Sequence, residues 1–153
     1  MSDPLVETWE IHNRINFYLL DAVSEEALSL SMSPKHRNIF KLFAHMHNVR
    51  RMWVEAAGPE FMKGIEKIAD ETGKKNQLKK ALTLSGKAMA RVLEKALLNG
   101  GKVPSFKPHA TAFLAYAISH ESHHRGQIGW TLKFTGHPLP QKIGYGLWEW
   151  GVR

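Results

Sequence analysis

The chain has 153 residues, 43% apolar and 23% charged, the size and balance of a single globular domain spanning 1–153. It has no cysteine, which excludes disulfides, cysteine-ligated zinc and a cysteine nucleophile, and leaves any thiol chemistry to a thiol brought from outside. The formal charge of +7 comes without a DNA- or RNA-binding motif, so nucleic acid is not an expected partner. No apolar run is long enough to span a membrane and no signal-type apolar core opens the chain, so the expected location is cytoplasmic.

The first helix is expected over residues 4–30, with Asp3 as its cap and Pro4 in its first turn, and with a break near Ser24. Trp9, Ile15, Leu19, Val23 and Leu28 recur along it at mostly helical spacing. His12 has no evident partner and reads as a surface or capping residue. The second helix is expected over residues 34–57, behind Ser33 with Pro34 in the first turn, and Gly58-Pro59 stops it. Leu42, Val49, Met52, Trp53 and Ala56 mark its apolar side, and His45 falls among them. His47, two positions on, is turned about 200° around the helix and shares a more mixed surface with Phe40, Phe43, Arg50, Arg51 and Val54.

Residues 58–75, with three glycines, a proline and many charges, read as a loop with at most a helical turn. The third helix, residues 76–99, carries a stripe from Leu78 through Leu82, Ser85, Met89 and Leu93 to Ala96, and Gly100-Gly101 ends it. The fourth, residues 108–135, stops at Gly136 and Pro138, with His109 near its start as a surface or capping residue. Its stripe is Phe113, Ala117, His120, His124, Ile128 and Thr131, with His123 beside it near Tyr116, Gln127 and Trp130. The tail, residues 139–153, places Tyr145, Trp148 and Trp150 between glycines, where they are expected to dock on the helices. Four long helices and no strand pattern make this an all-α protein, a four-helix bundle with an aromatic C-terminal tail.

The most informative stretch is His120-Glu121-Ser122-His123-His124-Arg125-Gly126-Gln127. His120 and His124 are four residues apart, so their imidazoles share one helix face, the spacing at which one helix offers two nitrogens to one metal ion. A third ligand must come from another helix. His45 is the first choice and His123 a substitute for either member of the pair, while a plain core histidine remains the alternative at each position. Gln127, three residues from His124, is placed to support a ligand or touch a substrate, and Arg125 flanks the pair. Glu121 points about 100° away from His120, so no general acid or base is evident beside the pair. Gly126 reads as room for a neighbouring helix.

The segment His120-xxx-His124-Arg125-Gly126-Gln127, with Leu42-Phe43-Ala44-His45 upstream and Gly136-His137-Pro138 downstream, resembles the DinB-like family of small metal-binding bundles. The resemblance implies up-down-down-up connectivity in which the second and fourth helices are neighbours. It implies a histidine triad holding a divalent metal, often nickel or zinc, which corresponds here to His45, His120 and His124, and a homodimer. It also implies activity as a transferase or isomerase using a low-molecular-weight thiol, or as a metal-dependent hydrolase, on a small-molecule substrate. One departure is Arg50, five positions after His45, where many relatives carry an acid. The other readings are a non-catalytic metal-binding or stress-associated bundle, and a nucleic-acid-associated one.

Overall fold

The computed structural model describes residues 1–153 and is built from helices, with no β-strand. Four long helices, α1 (Pro4–Ala22), α2 (Ile39–Ala57), α3 (Lys75–Leu98) and α4 (Ala110–Phe134), are followed by a short α5 (Gln141–Gly146). The Asp3 carboxylate accepts from Leu5 N–H at 2.8 Å and caps α1. The chain leaves α1 at Val23, just before the expected break at Ser24, and the apolar positions beyond it lie in a 3₁₀ turn, Glu26–Ser29. The second helix begins at Ile39, later than the Pro34 start expected from sequence. Asn38 rather than Ser33 is its cap, accepting from Lys41 N–H at 2.8 Å. Ser33 closes a separate turn on His36 instead. His109 caps α4 through Nδ1, which accepts from Ala112 N–H at 3.3 Å.

Contacts between helices give their directions. Trp9 Nε1 donates to Gly86 O and Lys79 bonds Asp21, so α1 and α3 are antiparallel. His12 meets Glu121 while Asn16 meets Arg125, so α1 and α4 are parallel. On α2 and α4, Trp53 packs on Phe113 whereas His45 packs on His124, so those two are antiparallel. Arg50 bonds the Leu82 carbonyl and Lys95 approaches the Ala57 carbonyl, so α2 and α3 are parallel. This is the up-down-down-up bundle, with α2 and α4 as neighbours. Gly86 allows α1 and α3 to close on each other, since a Cβ there would strike the Asn13 side chain.

The apolar core has two parts. Val6, Trp9, Val54, Met89, Leu93 and Phe113 fill one end, and Leu19, Phe43, Met46, Leu82, Ile128 and Leu132 the other. Between them every helix contributes polar side chains: His12 and Asn16 from α1, Arg50 from α2, Ser85 from α3 and Glu121 from α4, all at most 2% exposed.

That layer turns α2 away from its expected orientation, although Leu42 of the expected side is buried as well. Phe40, Phe43, His47, Arg50 and Val54 are buried, while Met52 is half exposed and Ala56 is at the surface. The inward face is therefore the one that looked mixed, because Glu121 supplies the carboxylate that makes a buried Arg50 tolerable. Gly126 has open space where a Cβ would stand, so it admits no neighbouring helix. The tail lies against α1, with Gly146 under the Tyr18 ring, the Arg153 guanidinium over that same ring and Trp150 beside His12. Trp148 and Tyr145 point to solvent instead of docking as core cover, at 82% and 64% exposed.

Candidate metal centre

The α2–α4 seam positions the histidines. At one end Trp53 packs edge-on against Phe113 and Tyr116, with ring centroids 5.4 and 5.6 Å apart. Two helical turns away along α2, His45 faces His120 and His124 with centroids at 5.3 and 4.7 Å. His120 and His124 stand 4.6 Å apart, as the four-residue spacing on α4 requires. One nitrogen from each ring can be chosen so that all three lie within 4.8 Å of one another. His45 arrives from the half-buried edge of α2, not from its apolar core side.

The donor set suits a divalent ion. Zn–N bonds of ~2.0–2.1 Å at tetrahedral angles place ligand nitrogens about 3.4 Å apart. His120 Nε2 and His124 Nε2 are 3.1 Å apart. His124 Nδ1–H donates to Gln127 Oε1 at 2.7 Å, leaving the His124 Nε2 lone pair directed at the cluster. All three rings are held toward the neutral, ligating form. Burial lowers the His45 pKa to about 4, helped by the Arg37 charge and by the other two histidines. Burial is also the main cause that lowers His120 and His124, and Arg37 acts in the same direction on both.

The remaining candidates separate. His123 is exposed and lies outside the group, although its ring touches that of His124. Arg125 turns away from the cluster toward α1, where Nη1 donates to Asn16 Oδ1 at 2.7 Å and to His12 Nδ1 at 3.1 Å. His12 is fully buried rather than at the surface. With Nδ1 accepting from Arg125, its Nε2–H donates to Glu121 Oε1 at 3.0 Å. Burial lowers the His12 pKa against the pull of Glu121, so this contact is a hydrogen bond from a neutral imidazole.

Glu121 accepts from Arg50 Nε and Nη2, both at 2.7 Å, and from Asn16 Nδ2 at 2.8 Å. Burial alone would raise its pKa, but the Arg50 charge and these donors outweigh burial and hold it well below the usual carboxylate range. It is an ionised structural anchor, unable to serve as an acid or base for a group outside the core. Arg50, which sequence patterning left on a mixed surface, is thus the partner of a residue between the two α4 histidines.

Sequence patterning also passed over Arg37. It lies in the segment before α2, and the only signal for it was the basic run Lys35-His36-Arg37. Arg37 lines two surface cavities beside the histidines. One, of about 420 Å³, includes His45, Lys41 and Lys67; the other, of about 430 Å³, includes Lys35 and Gln127.

The model of the DinB family matches residues 1–149 of the chain. No curated protein matches it significantly.

Proposed function

The chain belongs to the DinB family, and we propose that it is a metal-dependent enzyme whose His45, His120 and His124 hold one divalent ion, zinc or nickel. The convergence of those three imidazoles within 4.8 Å, from two different helices, carries the reading. His45, His120 and His124 would hold the ion through neutral nitrogens and leave it its full charge, and the chemistry it would supply there is the acidification of a water or a thiol.

Between hydrolysis and thiol-dependent S-transfer, the surroundings favour S-transfer. A hydrolase calls for a general acid or base beside the ion, and the one carboxylate between the α4 histidines is sealed in the core by Arg50. A thiol needs only deprotonation before its sulfur attacks an electrophile. Since the chain has no cysteine, the thiol is a separate small molecule.

The test has two stages. Protein purified without a histidine tag and incubated with zinc or nickel is expected to retain one ion per chain, and retention well below stoichiometry sinks the site. The loaded protein is then assayed with bacillithiol, glutathione or coenzyme A and a reactive electrophile. A rate no higher than that of free metal, across those thiols and a panel of esters, selects a non-catalytic metal-binding bundle.

A further inference from the structure

The segment between α1 and α2 and the loop after α2 enclose the approach to the histidines with positive charge. The cavity that reaches His45 is lined by Arg37, Lys41, Asn48 and Lys67 over a small apolar floor of Ala44 and Ile68. The cavity on the other side of Arg37 presents Lys35 and Gln127 beside Met32 and Leu42. The one carboxylate among these residues, Asp70, is taken by Lys41 at 3.2 Å. Arg37, Lys35 and Lys67 have no carboxylate within ion-pair distance.

We infer that this cleft binds the anionic end, a carboxylate or phosphate, of the small molecule whose reactive end reaches His45, His120 and His124. Arg37 is the principal contact, with Lys35 and Lys67 adding field. The guanidinium matches a carboxylate or phosphate through two parallel N–H bonds, and an unpaired arginine at the edge of a cavity is free to make them. The apolar floor gives room for a short carbon skeleton between the two ends. The anion subsite stands on its own residues; only the assignment of the reactive end rests on the metal reading.

Phenyl phosphate and its uncharged counterpart phenol are titrated into chelator-treated protein and followed by amide chemical shifts. Phenyl phosphate is expected to bind saturably and to move Lys67 and Ile68, and phenol is not. Arg37→Gln is expected to weaken phenyl phosphate ~tenfold, the scale of one charge-assisted contact. Lys102→Gln, an exposed lysine outside both cavities, is expected to leave it unchanged. Equal binding by wild type and Arg37→Gln, equal loss in both variants, or binding of phenol as tight as that of phenyl phosphate overturns the subsite. Metal content is measured on portions of the same preparations after they have been reloaded with zinc or nickel and freed of excess ion. Loss of metal with Arg37-dependent phosphate binding intact removes the metal reading and leaves the subsite; one ion per chain without Arg37 dependence does the reverse.

Discussion

Arg50 on α2 grips Glu121 on α4 with two guanidinium bonds of 2.7 Å, and Glu121 is the residue directly after His120. The pair lies on the core side of the α2–α4 seam and the histidines lie on its outer edge. Because one turn of α4 carries His120, Glu121 and His124, anchoring the carboxylate sets the rotation of the helix about its own axis. That rotation decides whether the two imidazoles face His45 or open solvent. His12 and Asn16 add donors from α1, so the setting is fixed from both sides of α4.

Breaking that anchor is expected to be costly. Glu121→Leu and Arg50→Met each leave a buried partner uncompensated and are expected to lower stability by ~3–5 kcal/mol. The double variant Arg50→Met/Glu121→Leu is expected to recover part of the loss, since no charge is then left alone. Urea midpoints of the four proteins test this, and additive losses would show that the two side chains act independently.

On the proposed reading His120→Ala removes a ligand, so it is expected to weaken zinc or nickel binding by more than the ~10–100-fold typical of losing a supporting partner. His123→Ala is expected to bind as wild type does, since His123 lies outside the group. Calorimetric titration of both variants distinguishes them. A strong loss in His123→Ala would exchange the roles of the two histidines.

Gln127 orients His124 through the 2.7 Å bond to Nδ1. Gln127→Leu is expected to reduce metal affinity ~10–100-fold, with Gln127→Glu retaining most of it because a carboxylate accepts the same N–H. Unchanged affinity in Gln127→Leu would show that packing alone orients the imidazole.

Stability is expected to fall as the solution is acidified from neutrality, with His12 as one cause. Burial lowers its pKa in the folded protein below the ordinary 6.5. Between those two values the unfolded chain binds a proton that the folded protein does not. The stability linked to a neutral His12 is therefore fully present above 6.5 and is lost as pH falls toward the lowered value. His12→Gln keeps a donor for Glu121 but cannot titrate, so its urea midpoint is expected to vary less between about pH 5 and pH 7. The acid side of that window stays above the region where Glu121 itself takes up a proton. An identical slope in both proteins would assign the loss to other groups.

Local spacing made much of this molecule legible in the chain itself. The 3.6-residue repeat and the glycine and proline stops located the four helices, missing mainly where a cap decided the boundary, as Asn38 does in place of Ser33. The same repeat put His120 and His124 on one face, because four residues along a helix is a fixed geometry whatever surrounds it. The HRGQ continuation and His45 added the family resemblance.

Tertiary structure decided which face of α2 is the inside. Counting apolar residues selected the side of Met52 and Ala56, and the bundle buries the side of His47 and Arg50 instead. A helix shows its own periodicity, but whether a charge can be buried depends on a partner elsewhere in the chain, and Glu121 lies 71 residues away. The same reason hid His12, whose partner is 109 residues off. It hid Arg37 as well, a loop residue whose position beside the histidines exists only once α2 and α4 have packed. Helical spacing is a property of neighbours in the chain, whereas charge compensation and convergence are properties of neighbours in space.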